Sequence, residues 1–302
     1  MLARMSMVGI TIAGGCIPSD PPGGMDLPLP DAALELLAPD TVRGSELSPG
    51  VVYHYLWSPR GPWAVHLVQA NVSERCELAF EVLQAEPRVS GGRGHEPVSA
   101  MVARSGDMVL AAVNADFFTP EGTTVGAEIV DGRVSAAEAR PTFAWRRGSE
   151  PWLGVPVVTD REVRLGWSVA RVPGDGATEA VGGFPDLIDR GARVGDLEVA
   201  ARPSFAAARH PRSGIGYDTR TGTVWVVVVD GRQDPHSAGM TLPELAQLLE
   251  ALGVDEALNL DGGGSSTLVV DGRPANRPSD PEGERAVVNA LALVHDSAGC
   301  TR

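Results

Sequence analysis

Three carboxylates at or near the ends of apolar runs, Asp230, Glu244 and Asp261, are this chain's first candidates for chemistry, and its basic residues are all arginine. The stretch "LNLDGGGSSTLV" (258–269) carries Asn259 and Asp261 out of an apolar run. It then crosses Gly262, Gly263 and Gly264 and passes Ser265 and Ser266 before turning apolar again. Three successive glycines cost conformational entropy that a plain connector does not require, so either the chain turns through positive φ or something packs against bare backbone. A phosphate-binding Walker loop needs a lysine here and there is none. A nucleophile elbow or a dinucleotide fingerprint must open a helix, whereas Thr267–Val270 reads as strand. Consecutive N–H groups flanked by the Ser265 and Ser266 hydroxyls suit an anion nest with Asp261 at its rim, and a glycine-rich bulge is the plainer alternative.

Two further segments carry polar groups of the right kind. In "RHPRSGIGYD" (209–218), Arg212 precedes a strand and offers a planar fork for phosphate or carboxylate, with a surface ion pair as the alternative. "DGRQDPHSAGM" (230–240) is long for a hairpin and makes Asp230 and Arg232 candidates, whereas the "DGR" triplets at 131–133 and 271–273 read as hairpin turns. Glu244 stands three residues after Thr241, so it is equally a catalytic carboxylate or the partner in a helix capping box. "VNADFF" (113–118) ends an apolar run in Asn114 and Asp116, and its Phe117 and Phe118 are assigned to the core.

These groups must be held by short β runs, read at 63–69, 77–83, 108–113, 125–130, 155–158, 224–229, 256–260, 267–270 and 286–294. One amphipathic helix is expected over 241–252, with Leu242, Leu245, Leu249 and Leu252 on one face. The expected fold class is α+β, a β-rich single domain with a few helices packed on mixed sheet. The domain plan is a signal segment over 1–15, a Pro/Gly-rich tether over 16–45 with one short helix around Asp31–Leu37, and the folded domain over 46–302.

With 302 residues, 43% of them hydrophobic, the chain can bury a proper core. Its net charge of −14 argues against nucleic acid and anionic membrane surfaces as partners, so an anionic substrate must meet a local cluster of arginines. Arg4, the apolar stretch Met5–Ala13 and "AGGC" (13–16) read as an export signal with a lipid anchor at Cys16, ordinary secretion or a non-cleaved cytosolic start being the alternatives. Cys16, Cys76 and Cys300 lack metal-type spacing; Cys76 and Cys300 are either bridged or two buried thiols.

Taken in order, "HPRSGIGYD", "VVVVDGRQ" (226–233), "GMTLPELAQLLEALGVDEALNLDGGGSSTLVVDGR" (239–273), "RPSD" (277–280) and "ERAVVNALALV" (284–294) resemble the signature blocks of the phosphodiester glycosidase family. "VNADFF" and "GAEIVDG" (126–132) match more loosely. The resemblance implies a mixed α/β domain that hydrolyses a sugar-1-phosphodiester in a phosphorylated glycan, with no cofactor. It also implies a site lined or supported by Asn114, Arg212, Asp230, Glu244, Asn259, Asp261, Gly262, Gly263, Gly264 and Ser265; Asp116 departs from the family pattern and is left out. The residues themselves suggest Asp261 as principal carboxylate, Asp230 as the second and Glu244 as its competitor. Arg212, Arg232 and the 262–266 segment would take the phosphate, and Asn114 and Asn259 the sugar. A metal-dependent phosphodiesterase using Asp230 and Asp261, or a non-catalytic glycan-binding lipoprotein, stays open beside this reading.

Overall fold

The computed structural model describes residues 28–73, 75–87, 93–106, 108–159, 162–166, 168–170, 178–296 and 300. The signal segment and Cys16 lie outside them.

The central strands Trp63–Asn71, Thr223–Val229 and Arg212–Asp218 are buried at nearly every position instead of alternating. Both faces of their sheet are therefore covered. That sheet has eight strands, running Thr41–Ser48, Val51–Ser58, Trp63–Asn71, Thr223–Val229, Arg212–Asp218, Glu256–Asn259, Asp186–Asp189 and Ala192–Arg193 from edge to edge. On one face Leu67, Trp225 and Val227 pack against Leu245 and Leu249 of the helix Leu242–Ala251. On the other, Val68, Val226 and Ile215 meet Val113 and Leu291 of a five-stranded sheet whose inner strands are Leu268–Val270, Val109–Asn114 and Asn289–His295. A second five-stranded sheet and a three-stranded one share a smaller core around Ala127, Ile129 and Ala180.

The fold is thus α+β and β-rich, as the turn-punctuated apolar runs suggest. Strand pairing among the described residues is antiparallel throughout. The tether expected over 16–45 needs correction in its second half. The helix Asp31–Leu37 buries Ala33 and Leu37 in the same core as Leu245, and Thr41–Ser48 pairs along Val51–Ser58. The Pro-rich composition conceals this because the edge strand Thr41–Ser48 is mostly exposed and shows no apolar alternation.

Two of the three "DGR" triplets are two-residue hairpin turns. Asp131 and Gly132, and Asp271 and Gly272, take positive φ between paired strands. At the third, Asp230 follows the strand directly and Arg232 carries the positive φ, 58°. A disulfide joins Cys76 to Cys300, tying the region before the strand Leu78–Gln84 to that beyond its antiparallel partner Asn289–His295.

Candidate functional site

Asp261 leaves the strand Glu256–Asn259 and is fixed through its main chain. Its N–H donates to the Ala115 carbonyl at 2.9 Å, and its carbonyl accepts from Asn114 Nδ2 at 2.6 Å. Asn114 is locked in this role, since its Oδ1 also accepts from Ser213 Oγ (2.8 Å) and the Thr267 N–H (3.1 Å). Asn114 therefore positions Asp261 and, being fully buried, does not present its amide to a sugar. Burial pushes the Asp261 carboxyl up to about 6, against the opposing pull of the adjacent Ser265 hydroxyl, the Arg285 guanidinium and the Gly262 N–H.

The glycines answer to close approach. A Cβ on Gly263, whose φ is +62°, would lie 3.1 Å from Arg232 Nη2. One on Gly264 would lie 2.1 Å from Arg285 Nη2 and 2.3 Å from Asp280 Oδ1. Two guanidinium groups are thus laid against bare backbone, one over each glycine. Gly262 would bring a Cβ to 3.0 Å of the Pro211 carbonyl, so it too is pinned from behind.

The anion nest is less complete than the run of N–H groups suggests. Gly263–Ser265 closes into a 3-10 turn, and the N–H groups of Gly263, Ser265 and Ser266 are spent on the carbonyls of Pro211, Gly262 and Gly263. The Gly262 N–H bears on the Asp261 carboxyl, and side-chain hydroxyls are the other donors nearby. Ser265 Oγ, Ser266 Oγ and Thr267 Oγ1 are buried without a well-formed hydrogen bond, as is Ser279 Oγ beside Asp280.

Arg212 is placed differently from the expectation. Its Nε donates to the Met240 carbonyl at 2.8 Å and its Nη2 to those of Phe205 (2.6 Å) and Ala208 (3.1 Å), with Phe205 stacked on the guanidinium. It is 1% exposed, and burial together with the charge of Arg232 lowers its pKa to about 10. Arg212 is therefore a buried clamp behind the loop, while Arg232 and Arg285 face it. Arg232 is held by His210 Nδ1 at 3.1 Å, and Arg285 by Asp280 at 2.8 Å. Sequence reasoning missed Arg285 and Asp280 although both stand in the blocks 277–280 and 284–294. Nothing local marks either one; only the fold brings them to Gly264.

Glu244 is committed twice: to the capping box with Thr241, and to Arg209 at 2.6 Å. Asn259 donates to the Phe184 carbonyl at 2.6 Å, and its Oδ1 is buried and unpaired. Asp230 belongs to a separate cluster. Its Oδ2 meets His236 Nε2 (2.8 Å) and His66 Nε2 (3.4 Å), and its Oδ1 accepts from Asn276 Nδ2 (3.1 Å) and the Arg277 N–H (2.9 Å). Burial opposes its charge, yet the bonds and charge from His66, then His236 and Asn276, hold this carboxyl below the usual range. Asn276 also donates to the Ser266 carbonyl at 3.1 Å, so it stands between the Asp230 cluster and the glycine loop. Asp116 sits in a buried network with Asn289 and the Gly182 N–H, where burial raises its pKa well above that of a free carboxyl.

A carboxyl of raised pKa at a strand end thus lies near the Arg285 guanidinium, with Arg232 over the neighbouring Gly263, an arrangement that suits an anion. The phosphodiester glycosidase family profile matches residues 107–294, more than half of the chain, and the chain belongs to that family. It is similar to the mouse N-acetylglucosamine-1-phosphodiester alpha-N-acetylglucosaminidase, 36% identical over 83 residues covering 28% of this chain and 16% of that protein. The human counterpart is 37% identical over the same shares. A SPbeta prophage-derived uncharacterised protein of Bacillus subtilis is 41% identical over 28% of this chain and 13% of its own length. The matched stretch thus spans well under a fifth of each of these relatives. In fold, the zebrafish N-acetylglucosamine-1-phosphodiester alpha-N-acetylglucosaminidase catalytic domain superposes with a TM-score of 0.60 at 20% identity, covering 85% of this chain and 82% of that one. A hypothetical protein from Synechocystis superposes at 0.66 and 20% identity, over 84% and 63%.

Proposed function

We propose that the protein is a glycosidase that hydrolyses the C1–O bond of a sugar-1-phosphodiester, with an N-acetylglucosamine-like sugar, in an exported or envelope glycan. The observation that carries this reading is the pair of guanidinium groups laid on Gly263 and Gly264 beside Asp261. The names of the mouse and human relatives support the choice of sugar.

The leaving group in such a reaction is a phosphate monoester, whose second pKa of about 6 lets it depart near neutral pH with little protonation. The C1–O electron pair leaves with the phosphate oxygen, and water supplies the hydroxyl to C1 and releases a proton. Arg232 and Arg285, both exposed at the loop, hold the departing phosphate, with the Ser265 and Ser266 segment beneath them. Asp261, ionised above about pH 6, faces the positive charge developing at C1 or takes the proton of the attacking water. Asp230 supports the loop through Asn276 and Glu244 through the helix cap, and neither touches the reacting atoms. The Cys76–Cys300 bridge favours an oxidising compartment, in keeping with export and a lipid anchor at Cys16. Mass spectrometry of the native protein should find a lipidated N-terminal Cys16; a chain retaining Met1 would refute the anchor.

Hydrolysis of N-acetylglucosamine-1-phospho-mannoside in ¹⁸O-water tests the reaction. Label in the released N-acetylglucosamine is expected. Label in phosphate would mean P–O cleavage, and saturable binding without turnover would mean a glycan-binding protein; either result overturns the proposal.

A further inference from the structure

On the other side of Asn276 from the glycine loop, Asp230 forms the floor of a cavity of about 470 Å³. None of the groups at Asp261 lines it. One wall is built by Tyr53, Tyr55 and Trp57, alternate residues of one strand and so on one face of the sheet. All three are only half-buried. Tyr53 also packs against the main core, which leaves Tyr55 and Trp57 as the two large rings of this face that belong to none of the hydrophobic clusters, an arrangement suited to a ligand.

The polar groups around the rings are arranged with care. His66 lies between Tyr53, whose Oη is 2.8 Å from its Nδ1, and Asp230. His236 gives Nε2 to Asp230 and keeps Nδ1 without a bond to any described residue. Arg43, opposite Tyr55 on the edge strand, has its guanidinium 6.0 Å from that ring and no carboxylate partner among the described residues. The exposed side chain of Arg277, at the rim, likewise has none. Two arginines without a carboxylate partner, where most of the other described arginines are paired with carboxylates or carbonyls, are a cationic rim over an aromatic wall.

We propose that this cavity is a second binding subsite, which takes an anionic pyranose. The apolar face of the sugar packs on Tyr55 and Trp57, its phosphate or carboxylate meets Arg43 and Arg277, and His236 Nδ1 hydrogen-bonds a ring hydroxyl. A monosaccharide fits the volume, and charge-assisted bonds to arginine orient it. The subsite does not depend on the chemistry assigned to Asp261.

Calorimetric titration of the Asp261→Asn protein with glucose 6-phosphate, glucuronate, glucose and inorganic phosphate tests this. At least one of the two anionic sugars should bind, and which one does identifies the anion preferred. The combined Arg43→Gln and Arg277→Gln substitutions, both on exposed side chains, should weaken that binding about tenfold or more, and Tyr55→Ala should weaken it further while Tyr55→Phe does not. Arg285→Ala should leave it unchanged. Four results would overturn the proposal: no binding by either anionic sugar, equal binding of glucose, equal binding of inorganic phosphate, or loss of binding with Arg285→Ala in place of the Arg43 and Arg277 changes.

Discussion

Replacing Asp261 with asparagine should stabilise the protein while destroying its activity. The carboxyl titrates at about 6 in the folded chain because burial penalises its charge, against a free-aspartate value near 3.8. A folded pKa above the unfolded one means that the ionised group works against the fold. The cost is absent below the unfolded pKa, where both states are protonated; it grows between about pH 4 and 6 and is complete above. Two pKa units at about 1.4 kcal/mol each set an upper bound near 3 kcal/mol, lowered by whatever solvent still reaches this half-buried side chain. Asparagine has nearly the same shape and no charge to bury. Urea denaturation of both proteins at pH 4 and pH 8 measures the effect. The variant should be more stable by about 1–3 kcal/mol at pH 8 and close to parity at pH 4, with kcat on a sugar-1-phosphodiester reduced about a hundredfold or more. A variant that is less stable at pH 8, or a difference that does not change with pH, would refute the argument that Asp261 is held against its own stability for function.

Arg285→Ala should lower kcat/KM on a sugar-1-phosphodiester by about tenfold to several hundredfold but leave a neutral aryl glycoside nearly unaffected; equal losses on both would remove its phosphate role. Arg212→Ala should instead cost stability, about 2–4 kcal/mol in denaturant, because it leaves the carbonyls of Met240, Phe205 and Ala208 without their donor; a stable variant with a phosphate-specific defect would reverse the assignment. Glu244→Gln should lose about 1 kcal/mol of stability and little activity, as read from thermal melts and initial rates. Gly264→Ala should displace the Arg285–Asp280 pair and lower kcat/KM at least tenfold with the fold intact; wild-type kinetics would show that the close approach is dispensable.

The parts of the fold that were legible in the sequence are those whose pattern is set by burial on one scale. Leu242, Leu245 and Leu249 recur at helical spacing because one face of that helix meets the large sheet, and the apolar run 224–229 stands out because both faces of its strand are covered. Thr41–Ser48 was not legible, because an exposed edge strand needs no apolar alternation. The same contrast runs through the site. Asp261 and its glycines announce themselves, since bare backbone in a row has few other uses. Arg212 reads as a phosphate fork because a fork that suits phosphate also suits three carbonyls, and only the positions of Phe205, Ala208 and Met240 decide between them. Arg285 and Asp280 lie some twenty residues beyond the loop and meet it only through the return of the strand Asn289–His295 beside Val109–Asn114.

The glycines, the arginines and the acidic chain form one argument. At physiological salt the field of a charge fades over about 8 Å, so any anion at the loop responds to its immediate neighbours and little to the −14 of the whole chain. Those neighbours are Arg232 and Arg285, with Arg212 buried behind them, set against Asp261 and Asp280, which leaves a local excess of positive charge. Lysines would carry the same charge, but a flexible point charge could not lie flat on the backbone of Gly263 and Gly264. A side chain at either glycine would push the guanidinium off the backbone and so displace the charge it brings to the loop. The conformational entropy lost at the glycines is therefore the counterpart of a close, arginine-faced contact, and Asp261 beside it, with its carboxyl desolvated, bears a cost of its own in its raised pKa.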